Sequence, residues 1–416
     1  MTDKKAKTAA PIYKPKGFDV KQRQLLVAGQ AVQSLADHYG TPFYVYDHAL
    51  CQKRVVDLKA VMPDFTHIHY AIKANPMPDL VAKMAGWVDG LDVASGGELD
   101  VALVSGISPK NISFAGPAKQ DWELEKALKA GVVVNVESAG ELRRLSSLAQ
   151  KHSQRARIAF RVNPDFELKS SGMKMGGGPK PFGIDAETLP EMLRDISQKW
   201  LDIEGLHIFT GSQNLKLSAI EEGLVNTLNL AKSLSREMGI SFKHVNIGGG
   251  LGVPYFPGDL PLDLGEVGAL YQKHLNKAKQ EMPGVQFIME LGRFLVAEAG
   301  LYVTRVVDKK QSRGKTFLAC DGGMHHHLSL SGNFGQIVRR NYPLDIANKM
   351  TTPKQDFETV DIVGPLCTPL DRLGDNVSLP RAEVGDLVVV YQSGAYGFTA
   401  SPQAFLGHQP PKEVLL

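Results

Sequence analysis

Thr66-His67-Ile68-His69-Tyr70-Ala71-Ile72-Lys73-Ala74-Asn75 is the stretch on which the fold reading turns. Its alternation predicts a strand over His67 to Ala74, and period-two side-chain direction puts Lys73 on the face that His69 and Ala71 share. A parallel sheet buries that face, and burying an ammonium is costly unless it is paired or loses its proton. Either Lys73 is the wet end of a strand, or it does chemistry.

Working outward, runs of the same β-like texture recur at Gly90 to Ala94, Asn111 to Ala115, Val132 to Glu137, Arg157 to Asn163, Ile203 to Thr210, His244 to Gly248 and Gln286 to Leu291. Helical periodicity separates them, as in Asp79 to Met84, Gly97 to Val104 and Ala139 to Gln150. Eight such strands alternating with helices predict an α/β fold, a closed (β/α)8 barrel. Lys73, Asp92, Glu137, Arg161 and Glu290 fall near the carboxyl ends of their strands, where barrels of this kind place active sites. Beyond Gly300 the runs Leu301 to Val307, Thr316 to Cys320, Glu358 to Val363 and Asp386 to Tyr391 lack intervening amphipathic helices and read as a mainly antiparallel β domain. The expected organisation is a flexible N-terminus over 1–25, a barrel over 26–300 and a β domain over 301–416, with Phe43 to Tyr46 open to either unit. Ser329 to Met350 reads as neither helix nor strand, and the glycine-rich insert Met175 to Pro181 as a mobile loop.

Composition narrows the partners. The 416 residues are 43% apolar and 22% charged, with a formal charge of +3 and both signs interspersed. That balance points away from nucleic acid and membrane surfaces and towards small molecules or proteins. Cys51, Cys320 and Cys367 make no disulfide framework, and no apolar run approaches bilayer length, so a cytoplasmic protein is expected.

Three features call for one explanation: Lys73, the run Gly248-Gly249-Gly250 after the seventh strand, and Glu290 with Arg293 after the eighth. The loops after strands seven and eight are where such barrels hold phosphate, and glycine lets backbone N–H groups approach oxygen without an intervening Cβ. A desolvated lysine is a nucleophile for an aldehyde, and a carboxylate such as Glu290 keeps a pyridine nitrogen protonated. These are the parts a pyridoxal 5'-phosphate (PLP) site requires. A dinucleotide loop is excluded because the GxGxxG spacing is absent. His325-His326-His327 reads as a solvated loop with no metal role, since consecutive side chains point different ways.

The motifs Tyr70 to Asn75, Asp92-Val93-Ala94-Ser95-Gly96-Gly97-Glu98, Gly211-Ser212-Gln213, Gly248 to Gly250, Glu290-Leu291-Gly292-Arg293, Asp321-Gly322-Gly323, Gly364-Pro365-Leu366-Cys367 and Gly394-Ala395-Tyr396 occur in that order. With them the chain resembles the fold-type III PLP-dependent decarboxylases, the family of diaminopimelate and ornithine decarboxylases. The resemblance implies that Lys73 bonds the cofactor aldehyde and Glu290 faces the pyridine nitrogen. It implies that Ser212, Gly249, Gly250, Gly292, Arg293 and Tyr396 lie around the cofactor, mainly at its phosphate, and that Asp92, Glu98 and Arg161 form a polar shell beside the lysine and ring. Cys367 matches the residue that reaches across a homodimer to protonate the substrate carbon, so the active sites are expected at a subunit interface.

Two departures bear on substrate. The family's ring-stacking histidine is replaced by Phe209, whose aromatic face still stacks, while His207 shares that face and takes up polar function. The family's acid after the cysteine is replaced by Thr368, which disfavours a basic substrate; Asp371 is the possible substitute that keeps diaminopimelate as the alternative. The segment containing Arg339, Arg340 and Tyr342 resembles instead the subgroup of carrier-protein-linked aminoacyl and exosortase-associated decarboxylases. Substrate contacts are therefore expected from Arg293, Arg339, Tyr342, Thr368, Asp371 and Tyr396, and an acyl carrier protein is an expected partner. A PLP racemase and a non-catalytic PLP-binding protein are the other classes. Glu290 argues against the first, Cys367 and the β domain against the second.

Overall fold

The computed structural model describes residues 13–416 apart from 168–172, 175, 195–197, 335 and 337. The chain divides into two compact units, one of Gln52–Val253 with Leu262–Leu295, the other of Met1–Cys51, Pro254–Pro261 and Val296–Leu416.

The first unit is a closed ring of eight parallel strands: Thr66–Ala71, Gly90–Val93, Ile112–Phe114, Val133–Val136, Ala156–Asn163, Leu201–His207, His244–Gly249 and Gln286–Leu291. Closure is set by the register of the last strand on the first, which places Glu290 beside His69. Ile68, Tyr70, Leu91, Phe114, Phe160 and Phe287 are fully buried, each contributing about 1.5–3 kcal/mol of transfer free energy. The helices between strands carry their apolar residues on one face: Leu217–Met238 buries Ile220, Leu224, Leu228, Ala231 and Leu234, a spacing of three to four. Their starts are capped by Ser95, Ser138 and Asp263, which accept the N–H of Glu98, Glu141 and Glu266.

The first strand differs from expectation. The first strand ends at Ala71, and Lys73 sits in a 3-10 turn, Ile72–Ala74, rather than on the strand's inner face. Its side chain is 44% exposed, so the turn lifts the ammonium out of the packed interior. Below it the barrel interior is polar rather than branched-aliphatic. His69 Nδ1 lies 3.3 Å from Asp92 Oδ1, Ser113 also bonds Asp92, and Asn135 donates to Ser113 Oγ at 3.2 Å. Gly90 makes this possible, since a Cβ there would come within 2.3 Å of His69 Nε2.

The second unit is a mostly antiparallel sheet in the order Leu344–Ile346, Leu387–Val390, Gly300–Ser312, Lys315–Cys320, Phe357–Val363 and Arg372–Pro380. Lys315–Cys320 and Phe357–Val363 run parallel. Phe43–Tyr46 pairs with both Gly300–Ser312 and Lys412–Leu415, so it belongs to this sheet. Residues 26–51, expected in the barrel, go with the β unit because Val27, Val32, Leu35, Phe43 and Val45 pack in one core with Leu301, Val303, Leu387 and Val389. The expected flexible stretch 1–25 is also revised where it is described: Val20–Lys21 and Gln24–Val27 form an antiparallel hairpin and Leu25 is buried, while residues 1–12 lie outside the described residues. The strand Arg372–Pro380 escapes sequence reading because Gly374 and Asp375-Asn376 look like turn residues; they sit at register shifts, with Asn376 at φ 47°. Met175 of the glycine-rich insert lies outside the described residues. Gly177 donates to Asn163 Oδ1 and Gly178 O accepts from Asn163 Nδ2, which ties the insert to the fifth strand. Among the described residues no helix is long and apolar enough to cross a membrane.

Candidate active site

At the carboxyl end of the barrel, Lys73 Nζ stands 3.6 Å from Glu290 Oε1 and 5.8 Å from the centre of the Phe209 ring. Glu290 is buried, with His207 Nε2 3.0 Å from its other oxygen. Burial alone would push this carboxyl towards protonation. The Lys73 charge, with His207 and Arg161 behind it, overcomes that and holds Glu290 far below the usual carboxylate range. The result is a permanently ionised acid beside a primary amine, with an aromatic face alongside.

Arg161 projects from the fifth strand and pairs with Glu137 at 3.0 Å, its guanidinium 5.1 Å from the Phe182 ring centre. Glu137 also accepts the N–H of Gly116 and Gly183. Against the upward push of burial, Arg161 and Lys119 keep it ionised. Behind it, Glu141 accepts the Glu137 N–H at 2.8 Å and pairs with the fully enclosed Lys119 at 2.6 Å. Glu137 was visible in the sequence as a strand-end acid, but its service to Arg161 was not. Lys119 and Glu141 carried no signal beyond a helical capping pattern.

The glycine run is a stitched bed. A Cβ on Gly249 would lie 2.1 Å from the Glu290 carbonyl, one on Gly250 2.6 Å from the Gly211 carbonyl, and one on Gly292 2.9 Å from Ala74. Gly248 and Gly250 adopt φ of 67° and 74°, which favour glycine. Asn214 donates its backbone N–H to Gly250 O, and Gly252 donates back to Asn214 O, joining this loop to the one that carries Ser212. Arg293 opens the short helix after the eighth strand. Glu98 accepts the Ala94 N–H at 2.7 Å, and burial pushes its carboxyl above the usual carboxylate range, towards the protonated form. Asp92 lies one layer down, engaged with His69 and Ser113.

On the β unit, Cys367 is exposed. Asp371 is enclosed at 2% exposure, and its two oxygens accept the N–H of Met324 and Leu366 at 2.6 and 2.8 Å. Gly323 and Gly364 pack so closely that a Cβ on either would come within 2.4 Å of those oxygens. The carboxyl is thus the internal anchor of the Cys367 loop. Tyr396, at φ 53°, has its carbonyl bonded by Ser329 Oγ and its ring 6.4 Å from Phe334. Arg339 is bonded to Asp375 and to the Arg372 carbonyl, and Tyr342 packs on Tyr255 and Phe256.

The histidine run is not the solvated loop expected. His325, His326 and His327 are 0–1% exposed. His326 bonds the Gln409 carbonyl, and His327 bonds Ser393 and stacks on Tyr44. Burial, more than any neighbouring charge, pushes them down to about 3, 4 and 3 respectively, so they pack as neutral rings.

Residues 49–297 match the pyridoxal-binding domain of the pyridoxal-dependent decarboxylases. The chain belongs to this family. The decarboxylase is 38% identical over 388 residues to the L-glutamyl-[BtrI acyl-carrier protein] decarboxylase of Niallia circulans, covering 92% of this chain and 90% of that one. It is 33% identical to the diaminopimelate decarboxylase of Aquifex aeolicus, covering 92% and 89% of the two chains. Its fold superposes on the crystal structure of M. jannaschii diaminopimelate decarboxylase in co-complex with L-lysine with a TM-score of 0.88 at 26% identity, covering 97% and 93%. PLP is the cofactor of the family, and the residues present fit it: an amine beside a buried anionic carboxylate, next to a glycine bed that admits no side chain.

Proposed function

We propose that this PLP-dependent decarboxylase acts on an α-amino acid whose distal end carries no cation, a glutamyl group held as a thioester on a carrier protein. The observation that carries this reading is the enclosure of Asp371. Its oxygens are committed to backbone N–H groups, and the residue after Cys367 is the neutral Thr368. A distal ammonium would lose its hydration there and gain no partner carboxylate, an unfavourable exchange. The relative acting on an L-glutamyl carrier protein supports the choice. Because the α-carboxylate must be free to leave, the carrier link falls on the side-chain carboxyl, which makes that end neutral.

Lys73 would hold the cofactor's aldehyde carbon, Glu290 its ring nitrogen, Phe209 one ring face, and Ser212, Gly249, Gly250, Gly292 and Arg293 its phosphate. The bound cofactor supplies an electron sink for the pair released when the Cα–carboxylate bond breaks. Glu290, kept ionised by Lys73 and His207, fixes a proton opposite itself and so keeps that sink electron-poor. Arg161, oriented by Glu137, places a second positive charge at the same end of the barrel. Lys73 also moves protons on its Nζ as substrate enters and product leaves. Cys367 of the partner subunit returns a proton to Cα from its Sγ, in a homodimer. An exposed, unpaired Cys367 fits a reducing, cytoplasmic setting.

Diaminopimelate is the second reading, favoured by relatives named for it at 33% and 32% identity. Mass spectrometry after incubation with a γ-glutamyl carrier thioester, free L-glutamate, meso-diaminopimelate, L-ornithine and L-lysine separates the two. Loss of carbon dioxide from the thioester supports the first; loss from meso-diaminopimelate alone replaces it with the second.

A further inference from the structure

Lys119 carries an ammonium that is shut away from water, its side chain 1% exposed. Three partners meet its three N–H groups: the Gly116 carbonyl at 2.8 Å, the Asn135 carbonyl at 2.9 Å and Glu141 Oε1 at 2.6 Å. Well-packed apolar side chains commonly fill such a space with no loss of stability, so an enclosed ion pair here calls for a function.

Two of those partners converge on one carboxylate. The Gly116 N–H donates to Glu137 Oε1 at 2.6 Å, and Glu141 Oε2 accepts the Glu137 N–H at 2.8 Å. Glu137 then meets Arg161 at 3.0 Å, and its second oxygen accepts the Gly183 N–H at 3.1 Å. Lys119, Glu141, Glu137 and Arg161 are two charges of each sign, all at 10% side-chain exposure or less and all in the barrel unit. Glu137 therefore faces two cations, Arg161 and Lys119, and one like charge, Glu141. Burial opposes its ionisation, and Arg161 and Lys119 together overcome that opposition. Arg161 in turn adds to the positive field that keeps Glu290 ionised.

We propose that Lys119 is a positioning residue for the decarboxylation: by holding Gly116 and Glu141 against Glu137, it keeps that carboxylate in place and so fixes the Arg161 guanidinium at the carboxyl end of the barrel. Lys119 is enclosed behind Glu137 and acts only through it. This role rests on the reading above that Arg161 supplies a positive charge at the loaded site. With a neutral residue at 119, Glu137 still feels burial, has lost one of its two cations and faces an uncompensated Glu141. A proton then enters the pair of Glu137 and Glu141 as pH falls, and Arg161 loses its counter-charge.

The PLP-loaded holoenzyme is compared as wild type, K119Q, K119R, E141Q and K119Q/E141Q. K119Q can still donate to the two carbonyls but carries no charge. Two quantities are read from about pH 5 to about pH 8.5: the absorbance of the bound cofactor, and kcat and KM on a γ-glutamyl carrier thioester. K119Q gains an acid transition in absorbance that wild type and K119R lack, and below it kcat falls about tenfold with KM within about threefold. In K119Q/E141Q the like charge is gone as well, so the transition moves back down and kcat recovers in part. A merely structural role gives the reverse, a loss equal at every pH and deeper in the double variant, and that result overturns the proposal. A K119Q profile that coincides with wild type overturns it too. If K119Q does not fold, the charge-balanced K119Q/E141Q decides: its transition must lie above that of E141Q, and coincidence of the two refutes the role. If wild type holds PLP but turns over no thioester, the substrate reading falls and the absorbance decides for Lys119. If wild type holds no PLP, the proposed function falls. Carbon-13 NMR of the glutamate carboxyls then shows whether K119Q raises the titration of Glu137, and an unmoved titration refutes the hold of Lys119 on it.

Discussion

At the scale of single residues, the site depends on a carboxylate that stays ionised although it is buried. Glu290→Gln keeps the shape and removes the charge that Lys73 and His207 surround. The variant is expected to retain cofactor, read as absorbance of the purified protein, while carbon dioxide release falls about a hundredfold or more. Activity within a few-fold of wild type would assign the electrostatic role elsewhere. Phe209 makes a separate prediction, because its ring faces Lys73 at 5.8 Å. Phe209→His, which keeps an aromatic face, should hold cofactor as tightly as wild type, whereas Phe209→Ala should weaken retention about tenfold in dialysis. Equal retention by both variants would mean that this ring does not stack.

At the scale of elements, strand ends deliver the charged groups, and networks behind them keep those groups in place. Arg161 and Glu137 are nearly enclosed, at 10% and 2% side-chain exposure. Glu137→Gln leaves a buried guanidinium without its counter-charge and should cost about 3 kcal/mol in urea unfolding. A loss below about 1 kcal/mol would show that water relieves the charge. The sequence made the strands themselves legible, since alternating short apolar runs and amphipathic helices leave few other folds. It also showed which ends carry Lys73, Arg161 and Glu290. It did not show that the first strand stops at Ala71, because a 3-10 turn of Ile72, Lys73 and Ala74 has the same local composition as strand. Nor did it show the Lys119, Glu141 and Glu137 chain, whose members meet only because the loop after the third strand packs on the start of the helix after the fourth. Arg372–Pro380 was hidden because glycine and asparagine at register shifts look like a turn.

At the scale of the whole molecule, buried neutral histidines make stability depend on pH. His325, His326 and His327 have folded values near 3, 4 and 3 against 6.5 in the unfolded chain. A lowered folded value means that the unfolded state binds the extra protons. The stabilisation is therefore complete above about pH 6.5 and is lost as pH falls from there towards 4. The urea midpoint should decline steadily over that window, and a midpoint flat from pH 6.5 to 5 would show that the three rings are solvated when folded. The histidine run was misread from sequence because three adjacent polar residues suggest a loop, whereas the chain turns at Gly323 and buries all three.

The central claim is that Lys73, beside Glu290 at the carboxyl end of the barrel, is where the cofactor is anchored. Borohydride reduction of the holoenzyme followed by peptide mass mapping tests it most directly. The account predicts one reduced pyridoxyl phosphate on the peptide containing Lys73, with Lys73→Ala both unlabelled and inactive. Label on any other lysine, or turnover retained by Lys73→Ala, would contradict it.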